Sequence, residues 1–367
     1  MGNRLRSFRL LGVCLLALSL SACQFIAPNV DNPPLDSLQP QGPFARQIDN
    51  LFWPVFWIAV GVFVVVQGAI LVAVFLFRDR PGRREPKQIH GNAKLEVVWT
   101  VIPALILAGI AVPTVRSVFD LTECAPDAIP VNVVGHQWWF EFDYSGLEGM
   151  PEGATVQTAN VMVIPAGQEV CAHMTSQDVI HSFWVPTLDG KRDVIPGRTE
   201  VLRLQADEPG TYWAHCAEFC GLSHSLMRAR VEAVSPADFQ TWLAGQLEQA
   251  PIPAEGTPEW DGLQVYLSKG CTQCHTVDFV DNDQNINDNI VALDAFHGPN
   301  LTHFDSQYRN VFAGATLPEQ GEDFTTALKR WLHDPPSVKP GSFMPNLGLT
   351  DSEIDSLISW LTWMGKN

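Results

Sequence analysis

A cluster of sulfur and imidazole side chains occupies twelve consecutive positions in the second half of the chain. It contains Cys216, Cys220, His224 and Met227, and His181 lies upstream in an Asp-Val-Ile-His-Ser segment. Two thiols, an imidazole and a thioether form a soft ligand set, which suits copper better than magnesium or calcium. A mononuclear blue-copper site needs only one cysteine in such a loop. The second cysteine therefore indicates a site in which two thiolates bridge two metal ions.

Two other chemistries are open to this cluster. A disulfide between Cys216 and Cys220 is plausible in an oxidising compartment, but it leaves the spacing of His224 and Met227 unexplained. Zinc accepts a set of two cysteines and two histidines, but it has little use for Met227. Copper uses every donor of the motif.

A second motif, Cys271-Thr-Gln-Cys274-His275, is the attachment sequence of a c-type haem. The two thiols would form thioethers with the haem, and the histidine would bind its iron. The alternative is a thioredoxin-like redox pair, which does not require the histidine.

The iron also needs a sixth ligand, and the C-terminal part of the chain offers two methionines. Met344 stands in the loop Gly-Ser-Phe-Met-Pro-Asn, whereas Met364 ends the last amphipathic stretch and is expected to pack in a core. We therefore predict Met344 as the ligand, because Met/His ligation suits electron transfer. His297, His303 and His333 are the alternatives, and each is expected to be a surface or structural histidine.

Two apolar stretches precede these motifs and are long enough to cross a bilayer. A helix over residues 51–77 would reach about 40 Å, more than the roughly 30 Å of a hydrocarbon core. The second stretch, about 97–117, contains Pro103 and Pro113, which membrane helices tolerate. A pair of buried helices in a soluble protein is the alternative, and the length of the first stretch disfavours it.

The loop between the two stretches is basic, which predicts its side of the membrane. Its charged residues are Arg78, Arg80, Arg83, Arg84, Lys87 and Lys94 against Asp79 and Glu85. Such loops stay in the cytoplasm. Both termini and both redox motifs would then lie on the periplasmic or extracellular side of a bacterial cytoplasmic membrane.

The first residues of the chain support export. A basic start and an apolar run are followed by Leu-Ser-Ala and then Cys23, as in a lipoprotein signal peptide. This predicts removal of residues 1–22 and a lipid on Cys23. An ordinary signal peptide with an incidental cysteine is the alternative.

The pattern of the remaining chain separates two external domains. Short β-rich runs divided by Gly and Pro turns predict a β-sandwich, and a Pro-rich segment separates it from the haem motif. The predicted divisions are an N-terminal segment with the two membrane helices (23–119), a cupredoxin-like domain (120–240), a linker (241–258) and an all-α cytochrome domain (259–367).

Composition narrows the classes of partner. The formal net charge is −17, which argues against a nucleic-acid partner because phosphate binding needs a basic face. An acidic surface would steer a basic protein partner towards the chain. Acidity that merely keeps the external domains soluble is an equally good explanation.

With these motifs in place, the chain resembles the copper-carrying subunit II of cytochrome c oxidase over residues 45–235. The resemblance implies a binuclear copper A centre bridged by Cys216 and Cys220, with terminal imidazoles from His181 and His224. Met227 and the backbone carbonyl of Glu218 would complete the set. It further implies that the Glu218 carboxylate meets a magnesium ion shared with subunit I.

Two more segments carry the same resemblance. Glu96, in Glu-Val-Val-Trp-Thr-Val-Ile-Pro, matches the start of the family's second membrane helix and implies a role at the entry to a proton channel. A carboxylate favoured by the helix dipole is the alternative. Trp138 matches an aromatic patch beside the copper and is the candidate electron-entry residue. The family's Trp-Tyr-Trp is replaced here by Trp138-Trp139-Phe140, and a plain core aromatic is the alternative for Trp138.

The C-terminal part resembles a class I cytochrome c, whose methionine ligand comes from a loop such as that of Met344 and whose haem contacts a loop such as Gly298-Pro-Asn-Leu301. The whole chain thus resembles the subunit II of a caa-type oxidase. Cys124 and Cys171 are left over in an oxidising compartment, and we predict a disulfide between them, with two buried thiols as the alternative.

The resemblance implies electron transfer from an external donor, such as a soluble cytochrome c, through the haem and the copper to subunit I, where oxygen is reduced. Subunits I and III would be the membrane partners, and no catalytic residue is expected in this chain. The rival functions are a nitrous-oxide-reductase-like copper A protein and a stand-alone periplasmic carrier or copper-delivery protein. The first would not need two membrane helices with a Glu96-x-x-Trp99 motif.

Overall fold

The structure is a computed structural model that describes residues 35–78, 81–82, 91–280, 298–308, 311–319 and 321–365. The predicted signal peptide, Cys23, most of the basic loop and His297 lie outside the described residues. The predictions made for them are therefore not addressed by the fold.

Two long helices open the described chain, α1 (Pro43–Leu76) and α2 (Ala93–Asp120). Both are long and apolar enough to cross a membrane, and their most apolar windows are 0% buried. Each begins before the apolar stretch that predicted it. Pro43 is suited to a first helical position, and the Asn92 side chain caps α2 by accepting from the Lys94 and Leu95 N–H groups. Apolarity marks the membrane-crossing part of a helix, but it does not mark the polar turns at its ends.

Ten strands follow and form two five-stranded sheets. They are β1 (Ile129–His136), β2 (Trp139–Ser145), β3 (Thr155–Ala159), β4 (Val161–Pro165), β5 (Val170–Ser176), β6 (His181–Trp184), β7 (Arg192–Val194), β8 (Glu200–Leu204), β9 (Gly210–Cys216) and β10 (Arg228–Val234). The strand orders are β3-β2-β1-β5-β8 and β4-β10-β9-β6-β7. Pairing is antiparallel except for β1 with β5 and β4 with β10. Inward-facing aromatic and aliphatic side chains fill the space between the sheets; the rings of Phe140 and Phe183 meet edge to face at 5.0 Å.

A helix replaces the first part of the predicted linker. Helix α3 (Pro236–Gln246) begins at Ser235, whose hydroxyl accepts from the Asp238 N–H. Phe239 and Leu243 are buried against the sandwich, and these two residues lie one helical turn apart. The segment that lacks helix or strand structure is therefore 247–257, shorter than the predicted 241–258.

The C-terminal domain is helical. Its α-helices within the described residues are α4 (Pro258–Ser268), α5 (Phe304–Tyr308), α6 (Phe324–His333), α7 (Pro335–Val338) and α8 (Asp351–Trp363). Helices α4 and α8 cross closely at Gly262, where an added Cβ would collide with the Ser356 carbonyl. Trp360 is fully buried and packs on Tyr266, with ring centroids 4.7 Å apart.

A disulfide joins Cys124 to Cys171, which is the pairing that we had predicted over two free thiols. Cys124 follows the end of α2, and Cys171 lies in β5. The bond therefore connects the chain leaving the second long helix to the interior strand of a sheet.

Candidate metal centre and cofactor cavity

Adjacent strands bring the sulfur and imidazole donors together. His181 is the first residue of β6 and Cys216 the last of β9, and these strands pair antiparallel with Phe183 opposite Cys216. The loop after β9 carries the remaining donors and returns at Met227, whose carbonyl accepts from the Cys216 N–H at 3.0 Å. The distant histidine thus meets the loop because the β-sheet register places it there.

The donor atoms lie within contact distance of one another. Cys216 Sγ and Cys220 Sγ are 3.7 Å apart. His181 Nδ1 lies 3.9 Å from Cys216 Sγ, and His224 Nδ1 lies 3.5 Å from Cys220 Sγ. Met227 Sδ is 3.8 Å from Cys220 Sγ. Each thiol therefore has its own imidazole, and the two thiols face each other.

The Glu218 residue presents its backbone to this cluster. Its carbonyl oxygen lies 3.2 Å from Cys216 Sγ, whereas the residue itself is exposed to solvent. His181, Cys216 and Cys220 are buried. The carbonyl is thus available to the buried donors, and the carboxylate is available to a partner outside.

Asp178 orients the first imidazole. Its carboxylate lies 2.8 Å from His181 Nε2, which leaves Nδ1 directed at Cys216. Burial would lower the pKa of His181, but the hydrogen bonds to Asp178 and Cys216 outweigh it, and the net pKa is raised. Such outer carboxylates fix the orientation of a histidine ligand and strengthen it as a base.

The two thiols share a proton. The hydrogen bond from Cys220 lowers the pKa of Cys216, while the same hydrogen bond, together with burial, raises the pKa of Cys220. The pair thus holds one negative charge readily and resists a second. Binding of a metal cation would displace the remaining proton from the two thiols, because the thiolate is the form that binds metal. The donor set and its burial fit a soft-metal centre.

A cavity of about 480 Å³ lies beside this cluster and contains the second motif. Cys271, Cys274, His275 and Met344 all line it, as do residues 136–139 of the sandwich. The cavity is thus closed by both domains. Two thiols, an imidazole and a thioether in the lining of one cavity fit a covalently attached haem.

The histidine of the motif is held in place by the chain around it. His275 Nδ1 lies 2.8 Å from the Pro299 carbonyl, which leaves Nε2 for the iron. Gly298 lies so close to the ring that an added Cβ would be 2.9 Å from Cε1. Tyr266 donates to the His275 carbonyl at 2.7 Å. The loop that resembles the haem-contacting loop of class I cytochromes therefore positions this imidazole.

The motif thiols differ from those of the copper cluster. Burial raises the pKa of Cys271 to about 11 and also raises that of Cys274. A raised pKa favours the neutral thiol over the thiolate, which disfavours metal binding.

The alternative iron ligands fall elsewhere among the described residues. His303 and His333 do not line the cavity, and burial lowers the pKa of His303. Met364 is fully buried in the core of the helical domain. Met344 is the methionine that the described structure places at the cavity.

Trp138 lies between the two sites. Its side chain is 6% exposed, and its indole N–H donates to the Cys220 carbonyl at 3.1 Å. On the other side it stacks with Phe343 of the helical domain, with centroids 6.4 Å apart. Trp139 and Phe140 are core residues, of the helical-domain cluster and the sandwich respectively.

Glu96 has a local structural contact. Its carboxylate accepts from the Asn92 N–H at 3.2 Å, in the first turn of α2. This is the contact expected of a residue that stabilises a helix start. A role in proton entry remains a prediction.

Sequence reasoning missed two residues of the site region. Asp178 was part of a quoted motif, and its spacing of three from His181 could have suggested the contact. Lys339, buried at the cavity wall, had no such signal, because a lone lysine before a proline has no distinctive spacing.

Comparison with known proteins agrees with this architecture. The family profiles described as "Cytochrome C oxidase subunit II, transmembrane domain" and "Cytochrome C oxidase subunit II, periplasmic domain" match residues 37–116 and 129–234. The profile described as "Cytochrome c" matches residues 261–365. Two membrane helices, a copper-type sandwich and a cytochrome domain define a membrane-bound redox subunit.

Relatives match nearly the whole chain. "Cytochrome c oxidase subunit 2" of Alkalihalophilus pseudofirmus is 35% identical over 362 residues, 96% of each chain. The protein of that name from Bacillus subtilis is 32% identical, over 94% of this chain and 96% of its own. A solved periplasmic domain of subunit II of cytochrome oxidase (CoxB) from Bradyrhizobium japonicum is 24% identical with a TM-score of 0.30, over 34% of this chain and 95% of its own. The chain belongs to the cytochrome c oxidase subunit II family and has a cytochrome c domain fused at its C-terminus.

Proposed function

We propose that this chain is the electron-entry subunit of its oxidase, with transfer from the fused haem domain to the copper centre and on to subunit I, where oxygen is reduced. Both groups supply one-electron chemistry when bound. The observation that supports this order is the position of Trp138, which contacts the copper loop on one side and the haem cavity's wall on the other. A tethered domain also keeps the donor concentration near the copper high.

The distances between donor atoms support the proposed copper ligands. Cys216 and Cys220 would bridge the two ions, and their imidazole neighbours His181 and His224 would bind one ion each. Met227 and the Glu218 carbonyl complete the set. Two shared thiolates spread the charge over both ions, so that little geometry changes on each transfer.

The lining of the cavity supports the proposed haem ligands. Cys271 and Cys274 would hold the haem covalently, and His275 and Met344 would bind its iron. The fixed Nδ1 contact of His275 with the Pro299 carbonyl pre-orients the first of these ligands. Met/His ligation is the kind that electron-transfer cytochromes c use.

The exposed Glu218 carboxylate is proposed to meet a magnesium ion at the contact with subunit I, and Glu96 to stand at a proton entry of that subunit. For Glu218 the support is that its carbonyl faces the copper donors while the residue is exposed. For Glu96 the support is its family resemblance alone, since its described contact is local.

We place both redox domains and both termini on the periplasmic side, with a lipid on Cys23, because the loop between α1 and α2 is basic and the N-terminus has a lipoprotein pattern. Subunits I and III and a soluble cytochrome c or other periplasmic donor are the proposed partners. The acidic net charge of −17 suits a basic donor.

Purification of the tagged full-length chain from its native membrane tests this function. The expected product is a complex with oxidase activity in which this chain holds two copper ions and one haem that survives denaturation. A chain that purifies alone, with both cofactors, would favour a stand-alone carrier. Uptake of one copper ion or none would remove the terminal-oxidase assignment.

A further inference from the structure

Lys339 is a buried charge that the proposed electron route does not yet use. It is 4% exposed and lies at the junction of the sandwich and the helical domain, just after α7. Its side chain also lines the haem cavity. Within the part of the chain that the structure describes, its ammonium makes two hydrogen bonds and no ion pair.

The two acceptors belong to different domains. Lys339 Nζ donates to the Trp138 carbonyl of the sandwich and, at 3.1 Å, to the Ala313 carbonyl of the helical domain. The next residue, Gly314, must be a glycine here, because its φ is +73° and an added Cβ would collide with Nζ. The ammonium therefore joins the backbones of both domains at one point.

Trp138 alone separates the Lys339 ammonium from the proposed copper ligand Cys220. Trp138, whose carbonyl accepts from Lys339, donates its indole N–H to the carbonyl of Cys220. The Arg228 N–H donates to the Gly314 carbonyl at 2.9 Å, and the Thr316 hydroxyl donates to the Leu226 carbonyl at 2.8 Å. The junction is thus built on the copper loop and its flanks.

A lysine is a costly residue for such a position. Burial of an ammonium without a counter-charge is unfavourable unless charge-assisted hydrogen bonds compensate, and burial lowers the pKa of Lys339 to about 7. An apolar side chain of similar length would fill the space at lower cost. A lysine is the expected residue at this position if both its N–H donors and its positive charge have a role at the domain junction.

We propose that Lys339 is a positioning residue that binds the Trp138 carbonyl and so docks the haem domain on the sandwich beside the copper loop, and that its positive charge at the cavity wall favours the reduced haem. This inference rests on the proposed function, since it assumes a haem in the cavity. The docking role and the electrostatic role of Lys339 can be measured separately.

The test compares the purified, cofactor-loaded complex with a Lys339→Met variant, which keeps the side-chain length and removes the charge and the donors. Amide hydrogen exchange over residues 221–230 and 311–319 reports docking, because the Arg228 N–H bonds across the junction. We expect exchange there to become at least tenfold faster. We also expect an optical redox titration at pH 6, where Lys339 carries its charge, to show a roughly tenfold weaker equilibrium constant for haem reduction, which is about 59 mV for one electron.

Two control variants separate the parts of the proposal. Thr316→Val removes a junction hydrogen bond without changing charge, so it should speed exchange and leave the haem potential unaltered. Lys329→Met removes a half-exposed lysine that pairs with Asp355 on the same domain, and it should change neither. If Lys339→Met does not load haem, Lys339→Gln, which retains a donor, should show the fall in potential with a smaller effect on exchange.

Unchanged exchange in Lys339→Met would overturn the docking role, and an unchanged potential would overturn the electrostatic role. A wild-type chain without covalent haem or copper would instead overturn the proposed function. The two failures are therefore distinguishable before any variant is compared.

Discussion

The copper cluster and the haem cavity both serve electron transfer, but they differ in how closely the protein alone brings their donor atoms together. In the cluster, four donor contacts between side chains lie at 3.5–3.9 Å. In the cavity, the donors line a space of about 480 Å³. A metal pair needs only side chains that a sheet can bring together, whereas a porphyrin is larger than any side chain and must fill a core of its own.

The protonation of the thiols follows the same division. In the cluster, the hydrogen bond from Cys220 lowers the pKa of Cys216, which favours a thiolate at this position. In the cavity, burial raises the pKa of Cys271 to about 11. Metal binding requires thiolates, whereas the haem-binding thiols are consumed in covalent bonds. Electrostatics therefore prepares the copper site for its metal, whereas the haem site is completed only when the thioether bonds form.

The two domains are also attached differently. The sandwich is joined to the chain leaving α2 by the disulfide of Cys124 with Cys171. The helical domain is joined through residues 247–257, which contain neither helix nor strand, and through the Lys339 junction. One domain is thus fixed by a covalent bond and the other by hydrogen bonds.

The largest change in cofactor content is expected from a substitution at the copper cluster. A Cys220→Ser variant should lose the binuclear centre completely, because the hydroxyl cannot bridge soft metal ions. Metal analysis of the purified complex should fall from two copper ions per chain to one or none, with covalent haem unchanged. Full retention of two ions would contradict the bridging role of Cys220.

The matching change on the haem side is Cys271→Ala with Cys274→Ala. We expect haem that survives denaturing electrophoresis to disappear, because both thioether positions are lost. The copper content should stay at two ions per chain, since the cluster is built within the sandwich. Joint loss of both cofactors would show that the cluster depends on the filled cavity.

A smaller effect is expected at the covalent attachment of the sandwich. Cys124→Ala with Cys171→Ala should lower the free energy of unfolding of the sandwich by about 4 kcal/mol, because the disulfide closes a loop with a sequence separation of 47. Denaturant unfolding of the detergent-solubilised chain, followed by the copper absorbance, would measure it. An unchanged unfolding midpoint would show that packing alone holds this segment.

The smallest effect is expected from weakening the contact that orients His181 in the copper cluster. Asp178→Asn keeps the shape but weakens the contact with His181 Nε2. Loss of such an outer carboxylate typically costs about 10- to 100-fold in metal affinity, which competition with a copper chelator would detect. Asp193→Asn, a change to an exposed carboxylate on the neighbouring strand β7, is the matched control and should leave the affinity unaltered.

Much of the site could be predicted because its chemistry is local in the chain. Cys216, Cys220, His224 and Met227 stand within one loop, so their types and spacing already indicate a soft-metal site. The haem attachment motif is local in the same way. The two long helices were predicted from apolarity, since membrane-crossing segments need length and composition more than packing.

The helix over residues 241–246 could not be separated from the linker in the same manner. Pro251 and Pro253 later in the predicted linker suggest a hinge, whereas helix α3 is stabilised by Phe239 and Leu243 against the sandwich. Helices of this length depend on packing more than on propensity. The helix could have been identified only if the sandwich surface against which it packs had been known.

The amino-acid sequence by itself determined which atoms can bind metal and haem, and which segments can cross a membrane, because these properties depend on residue type and short spacing. The tertiary structure alone decided that Asp178 orients His181, that Trp138 lies between the two sites and that Lys339 joins the domains. The Trp138–Lys339 contact unites residues 201 positions apart. Such a contact is set by how the two domains pack, and no local pattern encodes it.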